Sequence, residues 1–177
     1  AVFQSVSART AGFAALSDLS HLTPASQWLI TGLMFVGTAP ASMGGGITTG
    51  TLAILVLAMW SYTRGWQQAR VGMRSISQQT IGRAVAVLTV SFLLVAATTW
   101  LLLMTQSITL DDALFSTVSA FATTGLATTP MTDLNWFGRA LLMGMMFWGR
   151  LGALTIVLAM ARQTPPQPIS YPEDTLL

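Results

Sequence analysis

Apolar residues run along this chain in blocks too long for strands, and one block is too long for a single helix. Residues 27–62 are apolar yet broken by Pro40 and by Gly44, Gly45 and Gly46. At 1.5 Å per residue that block would extend ~54 Å as one helix, far beyond a ~30 Å hydrocarbon core. An interruption is therefore expected there. A second block is charge-free between Arg83 and Asp111, longer than the ~20 residues a spanning helix needs. A third runs over 136–161, and a fourth, 113–132, is uncharged and just long enough to cross.

Charge decides which of these cross. Arg64, Arg70, Arg74 and Arg83 crowd the connection between the first two blocks, and Arg162 follows the third. Positive charge marks cytoplasmic ends. Asp18, Asp111, Asp112 and Asp133 then lie outside, Trp28, Trp100 and Trp136 mark the outer interface, and Trp60, Tyr62 and Trp66 mark the inner one. Arg139 alone sits against this pattern, near the outer side. Were 113–132 to cross, Arg162 would fall outside, so that stretch reads as re-entrant. The run Thr109, Leu110, Asp111, Asp112 resembles a capping box opening a short helix at the outer surface. That helix descends to about Phe121, and irregular backbone then returns outward, which membrane depth tolerates only inside protein or beside a watery cavity.

The irregular segment occurs twice: ARTAGFAAL over 8–16 and FATTGLATT over 121–129. At an offset of 112 residues Phe3 meets Phe115, Val6, Ser7 and Ala8 meet Val118, Ser119 and Ala120, and MFVG over 34–37 meets MFWG over 146–149. Gly12 and Gly125 are 113 apart, so the second copy carries one extra residue in its loop. Two crossings per period keep both copies parallel, whereas three would invert them. Equivalent loops then surround an axis normal to the membrane. A short helix aims its negative C-terminal end at the bilayer centre, which favours a cation. The small residues that follow offer backbone carbonyls of the kind that replace an ion's water shell.

Composition agrees with this setting. The 177 residues are 53% hydrophobic and 8% charged, with a mean hydropathy of +0.63, against about 25% charged in ordinary soluble domains. An integral membrane protein is implied. Cysteine is absent, which removes thiolate chemistry and leaves the redox compartment unread. The opening AVFQSV carries no initiator methionine and no basic leader, and an internal start within a longer polypeptide is expected.

The ordered motifs SARTAGF, FVGTAPASMGGGITTGTLAI, SAFATTGLATT and MFWGRLGALTIVLAM strongly resemble the third and fourth pore repeats of the Trk/Ktr/HKT superfamily of K⁺ transporters, closest to the Ktr membrane subunit. The resemblance covers essentially the whole chain. It implies an all-α membrane protein built from parallel outer-helix, pore-helix and inner-helix units around one K⁺ pathway. The expected divisions are 1–26, the end of the third pore helix with its filter and outer loop; 27–63, the third inner helix, broken at 40–50; and 64–82, a cytoplasmic connector. They continue with 83–162, the fourth unit (outer helix 83–105, pore helix 110–121, filter 122–126, inner helix 136–162), and 163–177, a cytoplasmic tail. Two further pore units, preceding Ala1, would be required to complete the path.

By position, Thr10, Ala11 and Gly12, with Arg9 beside them, resemble the third filter segment, and Ala122, Thr123, Thr124 and Gly125 the fourth. Backbone carbonyls of Thr10, Ala11, Thr123 and Thr124 are the expected K⁺ ligands, and glycine at both filters goes in this family with K⁺ preference over Na⁺. Gly44, Gly45, Gly46, Ile47, Thr48 and Thr49 resemble the intramembrane gating loop, with Thr48 where relatives often have a basic residue. Arg150 joins them. It lies ~21 Å along its helix from Trp136, close to the ~24 Å at which a continuous helix from Trp28 would place Gly44. An arginine there costs ~2.5–3.5 kcal/mol to insert and needs a partner or water; the carbonyls of 44–49 are the expected partners. The resemblance further implies K⁺ as the transported ion, with dependence on Na⁺ or H⁺ left open, no cofactor in this chain, a homodimer of full subunits, surrounding lipid, and a cytosolic nucleotide-binding regulatory ring. It implies no nucleic-acid partner.

Other readings are weaker. Glycine clusters also serve helix packing, Arg150 would then be purely structural, and Arg9 reads as a scaffold for its loop. A secondary symporter coupled to Na⁺ or H⁺ also uses broken helices, but typically with inverted repeats. An enzyme is not expected: Ser42 has no membrane histidine or acid to activate it, and His21 stands alone outside.

Overall fold

The computed structural model describes residues 2–9, 11–13, 22–37, 39, 44–65, 70–71, 74–128 and 134–151. Six helices carry the architecture: α1 Val2–Ser7, α2 Pro24–Phe35, α3 Thr49–Thr63, α4 Gln78–Thr105, α5 Leu110–Phe121 and α6 Trp136–Leu151. The connector between α3 and α4 also holds a two-residue antiparallel ladder, β1 Arg70–Val71 with β2 Arg74–Ser75. The architecture is helical, as expected of an all-α membrane protein, and the ladder is confined to the connector. A two-residue pairing set by a tight turn leaves no alternating pattern for a sequence to display.

α5 is the centre of the assembly, packed by α2, α4 and α6. Phe115 and Phe121 of α5 are fully buried, together with Met34 of α2, Ile47, Leu102 of α4 and Leu142 of α6. Trp28, Trp100 and Trp136, and at the other end Trp60 and Tyr62, are exposed, as expected of anchors at an interface. Arg64 lies over the Trp60 ring, 4.8 Å from its centroid.

α4 is the one helix among the described residues long and apolar enough to cross a membrane. It begins at Gln78, ahead of the expected 83, because Ser77 caps it: its hydroxyl accepts from the Thr80 amide at 3.3 Å. Arg83 marks a charge boundary, which need not be a helix boundary.

The interruption after α2 also differs from expectation. The block was to run helically from 27 to about 40, but α2 starts at Pro24 and stops at Phe35. Val36 leaves helical geometry (φ −85°, ψ 84°) and bridges in parallel to Ile47. The Gly37 amide donates to the Ile47 carbonyl at 2.9 Å, and the Ile47 amide to the Phe35 carbonyl at 3.2 Å. The returning chain thus supplies partners that a broken helix end would otherwise leave unpaired. α3 restarts under Thr48, whose hydroxyl accepts from the Thr51 amide at 3.3 Å. The break covers 36–48, and no continuous helix carries Trp28 down to Gly44.

Candidate ion-conduction site

The Thr109 cap expected from sequence is present. Its hydroxyl accepts from the Asp112 amide at 3.3 Å and donates to Asp112 Oδ2 at 2.7 Å. The other oxygen of the same carboxylate, Oδ1, accepts from the Thr128 hydroxyl at 2.7 Å. This second bond shapes the segment. α5 has 12 residues, about 18 Å of helix, and the chain leaving its end returns to its start by Thr128. Helix and return therefore form a hairpin closed at its mouth by one carboxylate.

At the far end of α5 the last helical turn closes on itself. The amides of Ala122, Thr123 and Thr124 donate to the carbonyls of Val118, Ala120 and Ser119 at 2.8, 3.1 and 2.9 Å. Thr123 stands in the left-handed region with φ 54°, which costs a β-branched residue on the order of 1–3 kcal/mol. Gly125 follows at φ 86° and Gly12 has φ 73°.

The two segments expected to line a filter are neighbours. A Cβ placed on Gly12 would collide with the carbonyl oxygen of Thr124, and the Thr124 hydroxyl lies 3.5 Å from the Ala8 carbonyl oxygen. That Thr124 carbonyl is thus turned against Gly12. A Cβ on Gly125, in contrast, would meet no atom of the described residues within 4 Å. Arg9 and Ala11 are exposed, and Thr10 lies outside the described residues. The copies differ in one hydroxyl: Ser7 donates to the Phe13 carbonyl, whereas Ser119 Oγ, buried, has no hydrogen-bond partner among the described residues. The extra residue of the second loop changes where the following carbonyl lies, a consequence the repeat contains but does not reveal.

Beneath these segments three backbones converge on the Phe121 carbonyl. A Cβ on Gly149 of α6 would collide with its oxygen, and one on Gly45 would lie 2.6 Å from it. The Gly45 amide donates to Thr123 Oγ1 at 3.0 Å. Gly37, the counterpart of Gly149 at the 112-residue offset, packs instead against the carbonyl of Gly45, and Gly46 (φ 84°) against Gly37 and Phe35. Both positions need glycine because a carbonyl presses on each, but the carbonyls belong to different elements. Gly44, Ile47 and Thr49 lie in the same loop and helix start, with Ile47 fully buried.

These contacts replace the failed depth count. Gly149 places its neighbour Arg150 level with the C-terminus of α5, as the Gly45 contact places the loop. The Arg150 side chain is exposed and, among the described residues, makes no hydrogen bond to the carbonyls of 44–49, so the expected bonding is corrected. Arg139, the outlier in the charge pattern, turns its Nε to the Leu134 carbonyl at 3.0 Å, a local tie at the start of α6. His21 and Ser42 fall outside the described residues.

Comparison with known proteins identifies the lineage. A family model described as "TrkH: Cation transport protein" matches residues 1–170. The chain is 36% identical over 177 residues, its full length, to Ktr system potassium uptake protein B of Vibrio alginolyticus, covering 38% of that protein. It is 34% identical over 176 residues (99% of the chain, 39% of the relative) to Ktr system potassium uptake protein D of Bacillus subtilis. To the potassium/sodium uptake protein NtpJ of Enterococcus hirae it is 30% identical over 181 residues (99% of the chain, 40% of the relative). The chain therefore spans about two fifths of the length of these relatives. With a match over nearly its whole length, this chain belongs to the TrkH cation transport protein family.

Proposed function

We propose that this chain is the C-terminal part of a membrane subunit that passes K⁺, in which 9–12 and 122–125 form two walls of a selectivity filter and 44–49 with Arg150 form a gate beneath it. The observation that carries the reading is the α5 hairpin: a short helix whose C-terminal end meets a return of small residues, closed by Asp112 and Thr128 and laid against Gly12. In a bilayer this hairpin is re-entrant, entering and leaving at the outer face. Its helix end favours a cation at its tip, and the return presents carbonyls to replace water around that cation. Names of relatives favour K⁺, with Na⁺ in one of them.

Two filter walls do not close a path. The remaining walls come from the rest of the full-length subunit, which sits in the cytoplasmic membrane with the C-terminal side of this chain inside, pairs as a homodimer, and answers to a cytosolic nucleotide-binding ring docked on the connector. Glycine at 125 is the sharpest test, since a Cβ there meets nothing among the described residues and the position belongs to the proposed filter. Gly125→Ser in the full-length subunit is expected to let Na⁺ compete better with K⁺ during uptake into vesicles. Unchanged K⁺/Na⁺ permeation ratios would refute the filter assignment.

A further inference from the structure

The contact between the intramembrane loop and the fourth filter segment goes beyond packing. The Gly45 amide and Thr123 Oγ1 join residues 78 positions apart at 3.0 Å. Thr123 is the one non-glycine residue among those described with a positive φ, a conformation that persists only when its surroundings hold it. The loop is pressed onto the same spot: a Cβ on Gly45 would lie 3.0 Å from both Ala122 C and Thr123 Cγ2. Gly149 closes the other side of Phe121. Behind the contact, Val36 and Ile47 are bridged in parallel. Residues 121–124 stand where the first copy has only 9–11, so this arrangement belongs to the fourth segment alone.

We propose that Thr123 is a positioning residue that latches the 44–47 segment to the fourth filter segment, so that withdrawal of that segment and relaxation of the filter backbone occur together. This deepens the reading of 44–49 as gate and 122–125 as filter, and it rests on that reading. Loss of the Gly45 bond removes what holds Thr123 at positive φ. Its backbone then turns, and the carbonyls on either side turn with it. An open loop thereby carries a more permissive filter, and a closed loop a stricter one.

The test uses the full-length subunit in vesicles, with K⁺ flux and K⁺/Na⁺ discrimination both normalised to assembled protein and measured with and without the regulatory partner. Thr123→Val keeps the branched shape and removes the oxygen. It is expected to raise flux without the regulator by roughly 2- to 10-fold, the range one net hydrogen bond contributes to an equilibrium, and to lower K⁺/Na⁺ discrimination. Thr123→Ser keeps the oxygen and should hold flux without the regulator below that of Thr123→Val. Gly45→Ala, which pushes the loop off from the other side, should reproduce the flux increase with Thr123 chemically intact. A Thr123→Val protein that matches the parent in both measurements overturns the latch, as does a Thr123→Ser protein that behaves like Thr123→Val. Reduced assembly with unchanged flux per molecule overturns it too. Gly125→Ser run beside them separates the two levels: if it alters discrimination while Thr123→Val does nothing, the filter stands and the latch falls; if neither matters, both fall.

Discussion

Single residues at this site are chosen for what backbone presses on them. Gly149 is buried with the Phe121 carbonyl where its side chain would be, and that oxygen belongs to a helix end that cannot retreat, because Gly45 stands on its other side. Gly149→Ala is therefore expected to force α6 away from α5 and to cost ~1–3 kcal/mol or more, as overpacking does. A lowered thermal midpoint of the extracted subunit checks it. Gly144, on the same helix but with nothing within 4 Å of a Cβ, supplies the control: Gly144→Ala should leave the midpoint nearly unchanged. Sequence marks both as helix glycines and does not distinguish them, because the difference lies in an oxygen 28 residues away along the chain.

At the scale of elements, the α5 hairpin depends on one carboxylate serving both ends. Asp112 accepts from Thr109 at the helix start and from Thr128 at the end of the return. Bonds to a charged acceptor contribute about 1.5–3 kcal/mol when sheltered, and less here because Asp112 is only half-buried. Thr128→Val should free the return while sparing the cap, so K⁺ uptake would need a higher external K⁺ concentration for half-maximal rate, with helix content kept. Asp112→Ala should do the same and destabilise α5 as well. The K⁺ concentration dependence of uptake, measured for both, tells whether the clasp shapes the ion path; curves identical to the parent would deny it that role. The cap was legible from Thr109 and its spacing to Asp112. The clasp was not, since a threonine 16 positions on is near only if the chain returns.

For the whole molecule, α5, α6 and the loop after α2 meet at one depth, and Arg150 stands beside that meeting point with its side chain exposed. Its guanidinium stays charged, and under the proposed gate it would oppose a passing cation by its field. Arg150→Ala is expected to raise K⁺ flux per assembled subunit and weaken dependence on the regulator, with K⁺/Na⁺ discrimination kept because the loop latch remains. Flux that falls per assembled molecule would mark Arg150 as structural. Nucleotide control is expected to come from a partner, since the glycine clusters of this chain lie within its apolar blocks or their breaks and make no phosphate-binding loop. Equilibrium dialysis of the full-length subunit alone against ATP checks this, and tight binding would contradict it.

The sequence by itself determined the apolar blocks, the need for an interruption after α2, the short helix beginning at Thr109, and the family. Each of these is local or repeated: hydrophobic length, a cap at fixed spacing, and one offset that aligns separated motifs. Tertiary structure alone decided that α2 ends at Phe35, that Thr124 rests on Gly12, that Gly45 is bonded to Thr123, and that Arg150 makes no bond to residues 44–49. Those outcomes depend on which backbone carbonyls and amides meet after the chain has returned on itself, and backbone groups are the same at every position, so no side-chain pattern announces where they pair.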